Sequence, residues 1–149
     1  MSDDDRDVRL TLSVVSFSYP RGLSEDDEDD YWGGFVFDGR ALPDPYFDPD
    51  KSLREYSGCD RPVMDFFERH KEQVDLFLDM TEALVRHSIG VFLQRGRDYL
   101  QVAFGCHGGH HRSVYIAERF AERLAGLRGV EVKVTHSAKR FWGTQRMCR

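Results

Sequence analysis

The chain has 149 residues, 40% apolar and 13% aromatic, which suits one ordinary globular core and leaves little room for a second domain. A formal net charge of −5 argues against a generic nucleic-acid binder, and no run approaches the roughly 20 apolar residues that a membrane-spanning helix needs. The opening MSDDDRD has the wrong charge for a targeting signal, so a cytoplasmic location and no membrane partner are expected.

Residues 1–7 form an acidic N-terminal segment expected to be disordered. Arg9 to Tyr19 is rich in β-branched and aromatic residues, with Leu10, Leu12 and Val14 at period two, and Pro20 ends this first strand. An acidic surface loop with the run Glu25 to Asp30 follows, then a short second strand from Phe35 to Arg40. Four prolines, Pro43, Pro45, Pro49 and Pro62, keep the long connection after it from being regular helix. Ordered connections of this length are often binding loops.

Helical periodicity starts at Pro62, with Val63, Phe66 and Phe67 on one face and Val74, Phe77, Leu78, Leu84 and Val85 on a second segment. Two helices, or one broken near His70, are expected. Arg97 to Cys106 is a near-continuous apolar run of strand length, which marks a central strand buried on both faces. Ser113 to Leu127 reads as a helix stopped by Gly126 and Gly129, and Val130, Val132 and Val134 point one way in a last strand. The order β-β-α-α-β-α-β, without an internal repeat, predicts an α/β fold: a single-layer, mainly parallel sheet flanked by helices. The last eighteen residues carry Lys133, Lys139, Arg140, Arg146 and Arg149 and no acid, so 141–149 reads as a basic tail that could meet an anion.

Most of the chemistry sits in GCHGGHHRS, Gly105 to Ser113, between the third strand and the helix that follows. In an open α/β sheet, ligands bind beyond the carboxyl ends of the strands, and a strand-to-helix loop there aims free N–H groups and the helix dipole at one spot. Gly108 and Gly109 permit a tight nest of amides, Arg112 offers a fork of donors to phosphate oxygens, and Ser113 could cap the helix or donate a hydrogen bond. The imidazoles of His107, His110 and His111 would add donors, and their protonation would strengthen anion binding as pH falls.

Cys106 and Arg112 also match the spacing of cysteine-dependent phosphatases, Cys, five residues, Arg, Ser, in which a thiolate attacks phosphorus while the arginine clamps its oxygens. Gly105 stands where those enzymes commonly have histidine, and Asp44 or Asp48 are the candidate general acids. A small buried hydrophobe at a strand end is the competing reading of Cys106. The histidine spacing fits no common metal motif, so no metal site and no cofactor are expected. The three cysteines Cys59, Cys106 and Cys148 form no framework and are expected to be reduced. Neither G-x-x-x-x-G-K-[ST] nor G-x-G-x-x-G occurs, so nucleotide hydrolysis is not expected.

GCHGGHHRSVYIAE resembles the Gly-Cys-Thr-Gly-Gly-x-His-Arg-Ser-Val segment of the RapZ C-terminal domain family, the RNA-binding half of a bacterial RNase adapter. SFSYPRG, FVFDGRALPDPYF, GCDRPVMDFF and VEVKVTHSAKR resemble further segments of that family in unbroken order, so the likeness covers roughly residues 8 to 140. The resemblance implies a phosphofructokinase-like α/β domain over 8–140 that oligomerises, binds RNA and senses an amino-sugar phosphate without catalysis. It further implies phosphate contacts from Cys106 to Gly109 and Arg112, pocket walls from Arg40 and Tyr46, and RNA contacts from Lys139 and Arg140. Arg146 extends that basic end. His107 stands where the family usually has threonine, Tyr46 where some members have histidine and Gly39 where valine is usual, changes that bear on sugar specificity. The adapter's nucleotide-binding half has no counterpart here, so a separate nucleotide-binding protein is an expected partner. The resulting expectation is a non-catalytic phosphate-binding and RNA-binding regulatory module, with the cysteine phosphatase, or an RNA-end phosphotransfer enzyme, as the alternative.

Overall fold

A computed structural model describes residues 7–23 and 34–143. The N-terminus to residue 6, the acidic run Glu25 to Asp30, and Arg146, Cys148 and Arg149 lie outside the described residues.

Four strands, β1 (Leu10–Ser18), β2 (Gly34–Asp38), β3 (Tyr99–Cys106) and β4 (Val130–His136), form one sheet in the order β2-β3-β1-β4. Every neighbouring pair is parallel. β1 and β3 occupy the centre, where both faces of a strand need cover, and this is why β3 reads as a near-continuous apolar run and β1 is buried along its second half. The edge strands β2 and β4 alternate half-buried and exposed positions instead.

The break expected near His70 separates α1 (Arg61–Glu68) from α2 (Lys71–Gln94). The third helix, α3 (Arg112–Leu124), stops short of the expected Leu127, because Ala125 turns to extended backbone and Gly126 takes a φ of +89°. The three helices cover one face of the sheet, and a single core joins Leu12, Val14, Val102 and Phe104 to Val63, Phe67, Val85, Ile116 and Phe120. Val15, Phe17 and Ala103 point to the other face as a smaller cluster with Tyr19 and Leu23. No described helix is long and apolar enough to cross a membrane.

The proline-rich connection contains two 3-10 turns, Pro45–Phe47 and Lys51–Glu55. The side chains of Asp44 and Asp50 cap them by accepting from the Tyr46 and Ser52 amides. Parallel strands place all four carboxyl ends at one edge. The β3–α3 loop, the 3-10 turns that follow β2 and the segment that follows β4 therefore gather there.

Candidate functional site

Five residues join Cys106 at the end of β3 to Arg112 at the start of α3. Gly109 turns with a φ of +63°, and a Cβ there would lie 2.8 Å from the Ala138 Cβ and 2.9 Å from the Ser18 amide, so a side chain has no room. The Ser18 hydroxyl donates to the His107 carbonyl at 2.7 Å, and the Gly58 amide donates to the His110 carbonyl at 2.8 Å. These contacts hold the loop from both sides. His111 occupies the N-cap position of α3 without a side-chain cap hydrogen bond, so its side chain does not satisfy the first-turn amides.

The loop borders a cavity of about 740 Å³. Cys106, His107, Gly108, His110, His111 and Arg112 line it from the β3–α3 side, and Asp44, Tyr46, Phe47 and Arg54 line it from the 3-10 turns. Arg112 is the central charge: its side chain is 9% exposed, and its Nη2 lies 3.1 Å from Asp44 Oδ2. Its Nη1 donates to the Arg40 carbonyl at 2.6 Å.

The sequence candidates separate around this cavity. Arg40 reaches the site only through that carbonyl: its guanidinium binds the Asp38 carboxylate at 2.7 Å and lies over the Tyr19 ring at 4.2 Å. That hydrogen-bonded ion pair holds the Asp38 carboxyl below its ordinary pKa. Gly109 shapes the loop from behind. Ser113 is buried and neither caps α3 nor reaches the cavity; its Oγ accepts from the Cys106 thiol at 3.1 Å. Asp48 is turned towards Arg69, 3.8 Å away, and towards its own turn.

His110 and His111 stack with ring centroids 4.5 Å apart. Burial, with His111 alongside, pushes the His110 pKa down to about 4, and His110 Nε2 is buried without a hydrogen-bond partner among the described residues. Burial also lowers the His111 pKa, opposed by the Tyr56 carbonyl, which accepts from its Nε2 at 2.7 Å. Both rings are therefore biased towards the neutral form, and the expectation that protonation of this pair strengthens anion binding in mild acid is corrected.

The segment after β4 closes over the outside of the loop. The Trp142 indole N–H donates to the Gly109 carbonyl at 3.0 Å, and its ring lies 5.2 Å from His110. Lys139 and Arg140 sit in the 3-10 turn just before it, with the Arg140 guanidinium 4.9 Å from the Phe141 ring. Behind the sheet edge, Ser16 Oγ is 2.6 Å from His136 Nδ1, and His136 Nε2 donates to Glu118 at 2.7 Å. This Ser-His-Glu chain ties β1, β4 and α3 together around a fully buried serine hydroxyl that does not line the cavity. Cys59, Glu118 and His136 offer donor atoms within 4.8 Å of one another, a cation-like arrangement. The acid and imidazole already bind each other, the Cys59 sulfur lies 3.8 Å from the same Glu118 carboxylate, and Cys106 is a free thiol.

The family model of the RapZ C-terminal domain matches residues 10–140. The chain belongs to that family. Over 117 residues it is 42% identical to a nucleotide-binding protein of Chromobacterium violaceum, covering 78% of this chain and 39% of the relative. It is 44% identical over 115 residues to a nucleotide-binding protein of Halorhodospira halophila, covering 77% and 37% of the two chains. The RNase adapter protein RapZ of Yersinia pseudotuberculosis is 38% identical over 131 residues, 88% of this chain and 43% of that protein. The chain thus spans about two fifths of the length of these curated relatives. Within this RapZ C-terminal domain, sequence reasoning missed Phe47 and Arg54 as cavity residues and took Asp44 for a general acid. The length of the proline-rich connection was the signal that pointed to them.

Proposed function

We propose that this domain is a regulatory binding module that takes the phosphate group of a phosphorylated metabolite, an amino-sugar phosphate in the first instance, on the loop from Cys106 to Arg112. The observation that carries the reading is the nearly buried Arg112 guanidinium in the wall of a cavity at the uncapped N-terminus of α3. Asp44, opposite, suits the ammonium or hydroxyls of the same ligand. RNA would follow the basic end through Lys139, Arg140 and Arg146, and its affinity would fall steeply with salt. The name of one relative, an RNase adapter protein, supports an adapter role; a cytoplasmic location, an oligomeric state and a separate nucleotide-binding protein as partner belong to the same proposal.

Calorimetric titration of the full chain with inorganic phosphate and glucosamine 6-phosphate tests the pocket. A charge-assisted bidentate contact is worth about 1.5–3 kcal/mol, so Arg112→Ala should weaken binding at least tenfold while the far-UV spectrum is kept. Equal affinity in the native chain and the variant would refute the reading.

One observation favours a second reading. Cys106 borders the cavity with its sulfur held by Ser113, one residue beyond the arginine, an arrangement that would also support a thiolate nucleophile. Release of phosphate from an aryl phosphate or from phosphorylated RNA ends, lost in Cys106→Ser between pH 5 and 8, would establish a phosphatase. No turnover in the native chain would leave a binding pocket.

A further inference from the structure

The rim of the cavity carries a feature that a bare phosphate pocket does not require. Phe47 is 75% exposed and Tyr46 is 47% exposed, both at the cavity wall. Burying these rings in the core would be favourable, yet they stand in solvent beside the cavity that holds the arginine. Their rings meet at 83° with centroids 5.3 Å apart, which makes a right-angled apolar corner. Arg54 fixes that corner: its guanidinium lies 3.8 Å from the Tyr46 ring centroid, and its Nε donates to the Tyr46 carbonyl at 3.0 Å. Asp50 caps the turn carrying Arg54, and Asp44 caps the turn carrying the two aromatics. The corner is therefore held in place before a ligand arrives.

A volume of about 740 Å³ lies within the range of sites that enclose a whole small molecule and exceeds what one phosphate group fills. The lining includes the loop and Arg112 at the start of α3, which suit an anion. It also includes an exposed phenyl ring, a phenol ring and a guanidinium plane, the groups on which flat rings stack. Asp44 carries a carboxylate in the same wall and would accept hydrogen bonds from hydroxyls of the part in between.

We infer that the cavity has a stacking subsite, formed by Tyr46, Phe47 and Arg54, and that its ligand class is a phosphate monoester carrying a flat aromatic base: a nucleoside monophosphate, free or as the phosphorylated end of an RNA strand. This rests on the phosphate reading of the loop and puts a nucleoside in place of the amino sugar as the group attached to that phosphate. The nucleotide is bound and not hydrolysed; the loop cradles its phosphate, and the rim holds its base.

The test is calorimetry on the full chain with five probes: inorganic phosphate, glucosamine 6-phosphate, adenosine 5′-monophosphate, and a short RNA with and without a 5′-phosphate. Phe47→Ala is the variant, since an exposed ring can be removed without opening the core. Stacking predicts that the nucleotide binds at least about tenfold more tightly than inorganic phosphate, and that Phe47→Ala removes most of that advantage while leaving phosphate affinity unchanged. RNA binding tighter with the 5′-phosphate than without it, and weakened by Phe47→Ala, assigns the strand end as the source; a response from the mononucleotide alone assigns the free nucleotide. Equal affinity for nucleotide and phosphate, or an equal loss for nucleotide and glucosamine 6-phosphate in the variant, overturns the stacking subsite and leaves the phosphate loop standing. Absence of binding by every anion overturns both readings together.

Discussion

The Arg112 guanidinium, nearly buried at the start of α3, stands 3.1 Å from the carboxylate of Asp44, which caps a 3-10 turn in the connection after β2. The pair sets an internal acid against the guanidinium, and under the proposed function an incoming phosphate would compete with Asp44 for it. Asp44→Asn keeps the shape and removes the competing charge. Phosphate affinity, measured by calorimetry, should rise on the order of tenfold, about 1.4 kcal/mol. A fall in affinity would show that the carboxylate orients Arg112 more than it competes.

Trp142 covers the loop from outside, with its N–H on the Gly109 carbonyl. Trp142→Phe keeps most of the packing and leaves that carbonyl without its donor, at a cost of about 1 kcal/mol in denaturant unfolding. Because Gly109 sets the turn that carries His110 and Arg112, phosphate affinity should weaken along with stability. A stability loss with unchanged affinity would confine Trp142 to packing.

Acid acts through His110. Its folded pKa is about 4, against an ordinary value of 6.5, so between these values the unfolded chain takes up a proton that the folded chain refuses. The stability contributed by the neutral ring is complete above pH 6.5 and is lost as pH falls towards 4. Partial exposure limits the loss to roughly 2 kcal/mol. His110→Gln should flatten the pH dependence of the denaturant midpoint over this window; an unaltered slope would assign it to other groups.

Glu118 adds a second, lower step. The hydrogen bond from His136 holds its carboxyl below the ordinary value of 4.5, so this contribution is present above that value and disappears as pH falls through the depressed one. At neutral pH, Glu118→Gln replaces a charged acceptor under His136 and should cost about 1–3 kcal/mol by denaturant unfolding. His136 also meets Ser16, so the loss should loosen the contact between β1 and β4, read as faster amide exchange at Ser137, whose N–H donates to the Ser16 carbonyl. Unchanged exchange there would limit the pair to anchoring α3.

The sequence by itself determined the parallel α/β order, the broken helix at His70 and the placing of Gly105 to Arg112 at the carboxyl edge. These follow from local rules: residue periodicity, proline and glycine positions, and the need of central strands for two apolar faces. Gly105 is a case in point at the next level. Its place in the motif is plain in the chain, but its cause is tertiary, because a Cβ there would lie 2.5 Å from the Phe17 ring and 2.6 Å from the Tyr19 ring. Only the tertiary structure decided that Arg112 meets Asp44 and Arg40 does not, that Ser113 turns to Cys106, that two histidines are held towards neutrality and that Phe47 stands exposed at the cavity rim. Each depends on which distant segments the sheet order brings to one edge, and the spacing of residues along a chain carries no distance between loops that meet only when the strands pair.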